Sequence, residues 1–285
     1  MRIDLVQGSL EWREFRKRKI GASDAPAVMG VGFLTPLQLW RIKVGLEPEK
    51  VPNSAMKRGT ELEKVAREKF IEESGIHFEP ACFQCDEFPY LFASLDGYNE
   101  EHNLILEVKC PGKEDHEIAG RGLVPEKYEA QLQHQMFVAE CDQAYYYSFD
   151  GENGISVLVE RDDEYIAKML KKEKEFYQMM TTLTEPPVGP KDWVVCEDYD
   201  ALIAAMDYER LKKQSELLQE KMQAIKEELI KKSKGEYTRF GRLKLHKIMV
   251  KARVDYDLIP ELKGVDLDKY RSKPSISYRI DFDKN

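Results

Sequence analysis

The order in which the hydrophobic period changes along this 285-residue chain is the feature that most restricts its fold. Apolar side chains recur at the spacing of a helix from about Thr60 to Glu73, and strand-like alternation follows. The later segments, in chain order, are strands over 77–86, 91–98 and 104–109, a helix over 125–139, strands over 144–149 and 155–160, and a helix over 162–182. A strand meander followed by a helix and further strands predicts an α/β fold, in which helices flank a mixed sheet.

Three parts follow one another along the chain. The run Pro186-Pro187-Val188-Gly189-Pro190 ends a predicted core over 1–190, and residues 191–234 are strongly helical. Two rows of side chains seven residues apart run through that helix: Leu211, Leu218 and Ile225, with Tyr208, Ser215, Met222 and Leu229. A coiled coil and a helix packed on its own domain both fit these rows. Residues 235–285 are predicted to form a small basic tail with strands over 237–250 and 275–282, and they carry 12 Lys or Arg against 8 Asp or Glu.

Composition excludes several classes of protein. The formal net charge of −8 argues against a protein that coats DNA, yet it permits a local basic groove. No apolar run approaches the roughly 20 residues that cross a bilayer, and polar residues follow the first five, so we expect a cytoplasmic protein. Five scattered cysteines fit reduced thiols. The pair Cys82 and Cys85 has the spacing of half a metal site, but the sequence lacks the other half, which favours buried side chains in a strand.

Acidic and basic side chains meet on two neighbouring predicted strands. Ser94-Leu95-Asp96-Gly97 ends one strand, and Leu106-Glu107-Val108-Lys109 lies on the next. Alternation puts Glu107 and Lys109 on one face with Val108 in the core, and pairing across the intervening turn brings Asp96 to the same end. Two carboxylates and an ammonium group in an apolar setting favour a bound divalent cation.

These residue types predict a metal-dependent phosphodiester hydrolase. Asp96 and Glu107 supply the oxygen ligands that Mg²⁺ prefers, with the Val108 carbonyl as a further ligand. The ion lowers the pKa of a bound water and offsets charge on the scissile phosphate. Because two carboxylates favour the charged form of Lys109, we expect an electrostatic role for this residue rather than that of a general base.

Two predicted helices bring further polar side chains next to these strands. Glu63, on the helix before them, is expected to add a carboxylate, and Tyr128, Gln131 and Gln133 lie on the helix after them. Helical residues two apart point about 200° from each other, so Gln131 and Gln133 cannot share one face. We expect Gln131 to face the site. His134 is expected to be a surface or interface residue, because no partner triad accompanies it.

Six motifs occur in order between residues 10 and 180. They are Trp12-x3-Arg16-x3-Ile20-x-Ala22-Ser23-Asp24, Arg58-Gly59-x3-Glu63, Ser94-x-Asp96-Gly97, Leu106-Glu107-x-Lys109-Cys110-Pro111, Tyr128-x2-Gln131-x-Gln133 and Val159-Glu160-Arg161-Asp162-x2-Tyr165. Together they resemble the lambda exonuclease or YqaJ-type viral recombinase family, within the PD-(D/E)xK nuclease superfamily.

The resemblance implies a chemistry and a fold. It implies a restriction-endonuclease-like core, two Mg²⁺ ions for which Mn²⁺ can substitute, and 5′-to-3′ digestion of linear double-stranded DNA that leaves 3′ single-stranded tails. By match, the catalytic trio is Asp96, Glu107 and Lys109, and the assisting residues are Glu63 and Gln131.

The resemblance also implies a mode of DNA binding and an assembly. Arg16 and Ser23 fall where the family binds the 5′-terminal phosphate, and a guanidinium fork and a hydroxyl near a helix start suit that group. The implied assembly is a ring-shaped homotrimer that duplex enters and one strand leaves, with a single-strand annealing recombinase as partner. Residues after Pro190 depart from the short family type, and their role is open.

Two other functions stay open from the sequence. An endonuclease of the same superfamily would carry the same trio and would cut closed circular DNA, which a ring-shaped exonuclease cannot enter. A non-catalytic DNA-binding or assembly protein would bind DNA without metal or hydrolysis, with the C-terminal extension as its working part. The complete set of Asp96, Glu107 and Lys109 argues against this last function.

Overall fold

A computed structural model describes residues 1–48 and 54–248, together with Ile259, Leu262 and Val265. Residues Met1–Trp193 belong to one compact unit, and a second unit begins at Val194. Within the described residues, no helix has both the length and the apolar composition that crossing a membrane requires.

A mixed sheet forms the centre of the first unit. Its strands in the described residues are β1 (Arg2–Ile3), β2 (Ile20–Gly21), β3 (Glu79–Gln84), β4 (Leu91–Asn99), β5 (Leu104–Lys109), β6 (Gln143–Phe149) and β7 (Gly154–Glu160). Six strands lie side by side in the order β1-β3-β4-β5-β6-β7, and β2 pairs with β4. The β5–β6 and β2–β4 pairs are parallel and the others are antiparallel.

Helices surround this sheet, which confirms the predicted α/β fold with a mixed sheet flanked by helices. The helices described in this unit are α1 (Leu10–Arg16), α2 (Ala25–Met29), α3 (Pro36–Lys43), α4 (Ser54–Ser74), α5 (Lys113–Ala119), α6 (Glu126–Ala139) and α7 (Asp163–Thr182). The sequence did not predict the short elements β1, β2 and α5, because two to seven residues carry too little periodic signal.

Alternation along β5 separates two hydrophobic layers. Ile105 packs in the layer that contains side chains of α2, α3, α6 and α7. Leu106 and Val108 pack in the other layer, with side chains of α4. Glu107 and Lys109 alternate with these residues and therefore point to the side of α6.

Between two successive backbone pairs that join β3 to β4, β4 contains one more residue than β3. Glu79 pairs with Tyr98 and Ala81 pairs with Leu95, so two residue steps on β3 match three steps on β4. The extra residue on β4 produces a β-bulge, which lies at Asp96-Gly97. A bulge bends the strand, increases its twist and changes the direction of a side chain, and such bulges are common beside active sites.

The second unit contains a long helix and a hairpin. α8 (Tyr199–Ser233) begins where the Asp198 side chain accepts the N–H of Ala201 at 2.7 Å. Leu211, Leu218 and Ile225 are each more than half exposed. The strand predicted over 237–250 is divided into β8 (Thr238–Phe240) and β9 (Leu243–Leu245), and the strand predicted over 275–282 lies outside the described residues. The division into 1–190, 191–234 and 235–285 stays a prediction.

Candidate active site

Asp96 lies at the bulge, where the ladder between β4 and β5 ends. The last backbone pair of the two strands is Gly97 with Leu106. Beyond it the Asp96 carboxylate accepts a hydrogen bond from the Val108 N–H through Oδ2, at 2.9 Å. A Cβ on Gly97 would stand 2.8 Å from the Cβ of Phe78, so the strand can take this path only with glycine there. At the bulge, the hydrogen bond from the Val108 N–H to the Asp96 carboxylate therefore takes the place of the next backbone pair between β4 and β5.

The buried carboxylate of Glu107 is held by three donors. The Lys109 ammonium group and the Gln131 amide both donate to Oε1, the amide at 2.5 Å. The Gln135 amide donates to Oε2, also at 2.5 Å. Gln131 and Gln135 are four residues apart on α6, so both lie on the helix face that meets β5. A carboxylate has about four lone-pair positions, which leaves Glu107 one further acceptor position, on Oε2.

Lys109 lies between carboxylates and an aromatic ring. Its Nζ stands 5.5 Å from the ring centre of Tyr128, which itself stacks on Tyr146. Burial alone would lower the pKa of Lys109, but the charges of Glu107 and Asp96 outweigh this and raise it. The amine therefore stays protonated, which suits electrostatic stabilisation and disfavours general-base catalysis near neutral pH.

Glu63, on α4, adds a third carboxylate. It lies 3.8 Å from the Arg67 guanidinium, which also donates to the Asp96 carbonyl at 2.9 Å. Burial raises the pKa of Glu63, Arg67 opposes this, and the charge of Glu107 adds to it. Burial, and then the charges of Glu107 and Glu63, raise the pKa of Asp96 well above its usual range. Three carboxylates share only two cations, Arg67 and Lys109, so negative charge in the cluster exceeds positive charge.

This donor set fits a divalent cation. Asp96 Oδ1 makes no hydrogen bond to any residue that the structure describes, and Glu107 keeps one acceptor position. In the described ranges, no group of three or more His, Cys, Asp or Glu side chains is arranged to hold a metal ion. Mg²⁺ does not require one, because it keeps several waters and takes one or two carboxylates. Asp96 and Glu107 are the residues that would hold the ion. The Val108 carbonyl as a ligand stays a prediction, as does the catalytic role of each residue.

Gln133 lies on α6 but does not contact the carboxylate cluster. It donates to the Glu160 carbonyl at 2.9 Å and accepts from the Asp162 N–H at 2.8 Å. These bonds tie the end of β7 to the start of α7. The structure thus places Gln131, and not Gln133, against Glu107.

The expectation that His134 is a surface or interface residue is wrong. Its side chain has no exposed surface. Nδ1 lies 2.7 Å from Oε1 of Glu173, on α7, and Nε2 lies 3.0 Å from the Phe92 carbonyl oxygen. Both partners are distant in the sequence, so no local pattern pointed to them. The pair joins α6, α7 and β4 inside the core.

His134 predicts a pH dependence of stability. Burial alone would lower its pKa, but Glu173 outweighs this and raises the pKa of His134 above its usual value. A raised pKa in the folded state stabilises the protein fully below the unfolded value of about 6.5, and this contribution is lost as pH rises through the folded pKa. We expect the Tm to fall with rising pH above about 6.5, and His134→Gln to flatten that slope. Thermal unfolding, followed by circular dichroism at several pH values, measures the Tm, and His77→Gln at an exposed site is the control. Parallel profiles for the wild type and His134→Gln would contradict the assignment.

Arg16 and Ser23 lie on neighbouring segments before α2. The Arg16 guanidinium stands 4.7 Å from the ring centre of Trp12 and 3.7 Å from Asp24 Oδ1. Its Nε is buried and makes no hydrogen bond within the described part of the chain. Ser23 lies in a 3-10 turn, and its side chain is exposed. Trp12 donates through Nε1 to Ser94 Oγ at 2.7 Å, which attaches α1 to β4 close to the bulge.

Three buried residues around these groups were assigned no role from the sequence, although Asp24 closes the first motif. Gln135 carries a usable signal, since it lies one helical turn after Gln131. Asp24 and Lys43 form an ion pair at 2.5 Å, with both side chains about nineteen-twentieths buried, and no local pattern relates them. Burial opposes the charge of Asp24, but Lys43 and then Arg16 outweigh it and lower its pKa. This pair fixes the segment that carries Arg16, because Lys43 also donates to the Arg16 carbonyl at 3.2 Å.

Comparison with known proteins gives three findings. Residues 11–142 match the profile of the YqaJ-like viral recombinase domain. No curated protein sequence matches the chain. Solved structures also match the chain, and two crystal structures of one enzyme are among them. The alkaline exonuclease LHK-Exo from Laribacter hongkongensis has 26% identity and a TM-score of 0.55 over 61% of this chain and 94% of that one. LHK-Exo in complex with dAMP has 25% identity and a TM-score of 0.56 over the same shares.

Proposed function

Because the chain carries a YqaJ-like viral recombinase domain over residues 11–142, we propose that it is a Mg²⁺-dependent exonuclease acting in phage-type recombination. Its substrate is linear double-stranded DNA, which it degrades from 5′ to 3′ to leave 3′ single-stranded tails for strand annealing. One observation carries the proposal: Lys109, Gln131 and Gln135 hold the buried Glu107 carboxylate beside the Asp96 side chain. The similarity to an alkaline exonuclease supports it.

Each residue of the cluster has a distinct role in this proposal. Two bound Mg²⁺ ions, or Mn²⁺ in their place, would activate water and offset phosphate charge, and Asp96 and Glu107 would hold them. Lys109 stays protonated and stabilises negative charge that develops on the phosphate. Gln131 orients Glu107, and Glu63 adds negative charge on the side of α4. Tyr128 shields Lys109 from water.

DNA-end recognition belongs to the segment before α2. The Arg16 guanidinium makes no hydrogen bond to any described residue, since Asp24 Oδ1 stands 3.7 Å away, and Ser23 offers an exposed hydroxyl close to it in sequence. A guanidinium and a hydroxyl suit a terminal phosphate. The dAMP complex of LHK-Exo supports a nucleotide with a 5′ phosphate as the bound group. We propose further that the protein works as a ring-shaped homotrimer in the cytoplasm, and that a single-strand annealing recombinase receives its product.

The decisive experiment compares DNA forms. With Mg²⁺, we expect end-labelled linear duplex bearing a 5′ phosphate to be shortened from its 5′ end, and closed circular duplex to stay intact. Addition of EDTA is expected to stop the reaction. Inertness on every linear duplex by a folded protein would refute the exonuclease. Cutting of the circle would select the endonuclease instead, and metal-independent binding without hydrolysis would select a DNA-binding protein.

Arg16→Ala tests the proposed end recognition. Charge-assisted hydrogen bonds contribute about 1.5–3 kcal/mol, so we expect kcat/KM on 5′-phosphorylated duplex to fall by about 10- to 100-fold. The rate on 5′-hydroxyl duplex is expected to change little. Arg18→Ala, at an exposed position just after α1, is the matched control. Equal losses on both kinds of end would contradict a phosphate contact.

A further inference from the structure

Gln135 is a buried glutamine to which the proposed function gives no separate role. Its side chain has no exposed surface, and its amide nitrogen stands 2.5 Å from Glu107 Oε2. Its Nε2 is the only donor to that oxygen among the described residues, whereas Oε1 has two. The amide nitrogen must face Glu107, because an amide oxygen at that distance would repel the carboxylate.

The other end of this contact lies on the neighbouring strand. The same Nε2 stands 3.4 Å from the Ser94 carbonyl oxygen, on β4 just before the bulge. Backbone pairing between β4 and β5 ends at Gly97 with Leu106. Beyond that point, side chains bridge the two strands: Asp96 reaches the Val108 N–H, and Gln135 lies between Glu107 and Ser94. Gln135 therefore contacts both strands where they carry the candidate ligands.

The amide oxygen of Gln135 bears on why a glutamine is needed at this position. Gln135 Oε1 is buried and has no hydrogen-bond partner in the described residues. A side chain selected only for packing would not place an unpaired oxygen in the core, because an unpaired buried acceptor costs folding free energy. The nitrogen contact with Glu107 is thus the feature that requires glutamine at this position.

We propose that Gln135 is a positioning residue that acts through Glu107. By occupying one acceptor position of Oε2, it stops the carboxylate from rotating and directs the remaining acceptor position toward the cation. The last torsion of a Glu side chain otherwise covers a broad range of angles. This inference rests on the proposed function, because it concerns the metal that the nuclease requires. Residues that orient metal ligands in this way typically change metal affinity by about 10- to 100-fold when replaced.

The test measures metal binding without catalysis. Mn²⁺ is titrated into wild type, Gln135→Met and Gln133→Met, and the rise in Tm is followed. Gln133 is the matched control, since it is an equally buried glutamine on α6 whose bonds are to Glu129 on the same helix, to the Glu160 carbonyl at the end of β7 and to the Asp162 N–H just before α7. For Gln135→Met we expect the Mn²⁺ concentration at half-maximal shift to rise at least about 10-fold. For Gln133→Met we expect a lower Tm without metal and an unchanged midpoint. Gln135→Asn, whose amide is one methylene too short, replaces Gln135→Met if that variant does not fold.

Each outcome decides between the proposals. A wild-type midpoint in Gln135→Met or Gln135→Asn overturns the positioning role and leaves the nuclease proposal intact. Equal midpoint shifts in the Gln135 and Gln133 variants also overturn it, because they indicate a general loss of rigidity. A wild-type protein that Mn²⁺ does not stabilise, and that hydrolyses no DNA, overturns both proposals.

Discussion

Replacing Lys109 with alanine is expected to lower the rate of DNA hydrolysis at saturating Mg²⁺ by about 10³-fold, while DNA binding persists. The ammonium group lies against Glu107 and beside Tyr128 on a side chain that is about three-quarters buried, and two carboxylates keep it protonated. Loss of such a preorganised charge removes stabilisation of the transition state without removing contacts to the substrate. Single-turnover hydrolysis of labelled duplex measures the rate, and fluorescence anisotropy measures binding.

Lys127→Ala is the matched control for this experiment. Lys127 also lies over Tyr128, with its Nζ 5.4 Å from the ring centre, and it also pairs with an acid, Asp115, at 2.6 Å. It does not contact Glu107. We expect its replacement to leave the rate within about threefold of wild type, because a partly exposed ion pair that does not contact the carboxylate cluster contributes little. Similar losses in the two variants would show that Lys109 has no special role. In Lys109→Ala, the Gln131 and Gln135 amides still donate to Glu107, which favours a folded protein.

Asp24→Ala is expected to have the largest effect on stability. Asp24 and Lys43 are a buried ion pair, and removal of the acid leaves an uncompensated cation in the core. Breaking such a pair typically costs about 3–5 kcal/mol. The Gly21 N–H would also lose its acceptor, which stands 2.9 Å away. We expect urea unfolding at pH 7 to show a free energy of unfolding lower by this amount.

A double substitution separates the charge from the packing. Asp24→Asn with Lys43→Met removes both charges and preserves most of the side-chain volume. Because a buried pair exchanged for neutral groups is often close to neutral in stability, we expect the double variant to recover most of the loss. If Asp24→Ala has the same free energy of unfolding as wild type, the ion pair does not hold this segment. The same conclusion follows if the double variant is less stable than Asp24→Asn alone or Lys43→Met alone.

The sequence was sufficient for the order of the longer helices and strands, and for which residues of β5 share the face that carries Glu107. Alternation along residues 104–109 predicted that Glu107 and Lys109 share a face, and the structure has them in contact. The 3.6-residue period separated Gln131 from Gln133, and of these two only Gln131 contacts Glu107. Both inferences use periodicity within one element, where each side chain's direction follows from the backbone alone.

The remaining features depend on contacts between distant segments. His134 was misplaced on the surface because its partner Glu173 lies on another helix. The Asp24–Lys43 pair joins a turn to the last turn of a helix, and neither residue differs locally from a solvated charge. The bulge at Asp96 arises from the mismatch between two strands, so β4 by itself cannot reveal it. Tertiary pairing of this kind leaves no period in a single sequence.

The bulge also has a consequence for how this segment can vary. Leu95 and Tyr98 are three residues apart and yet pack in the same hydrophobic layer. In a regular strand, residues three apart point to opposite faces, so the alternation of side chains is interrupted between these two residues. Asp96 belongs to neither alternating set, and its location depends on how many residues the strand contains and on glycine at position 97. Side chains of the alternating sets can therefore be exchanged for others of similar size without moving the carboxylate, whereas the length of the strand is constrained. Insertion or loss of one residue would carry the carboxylate away from Glu107.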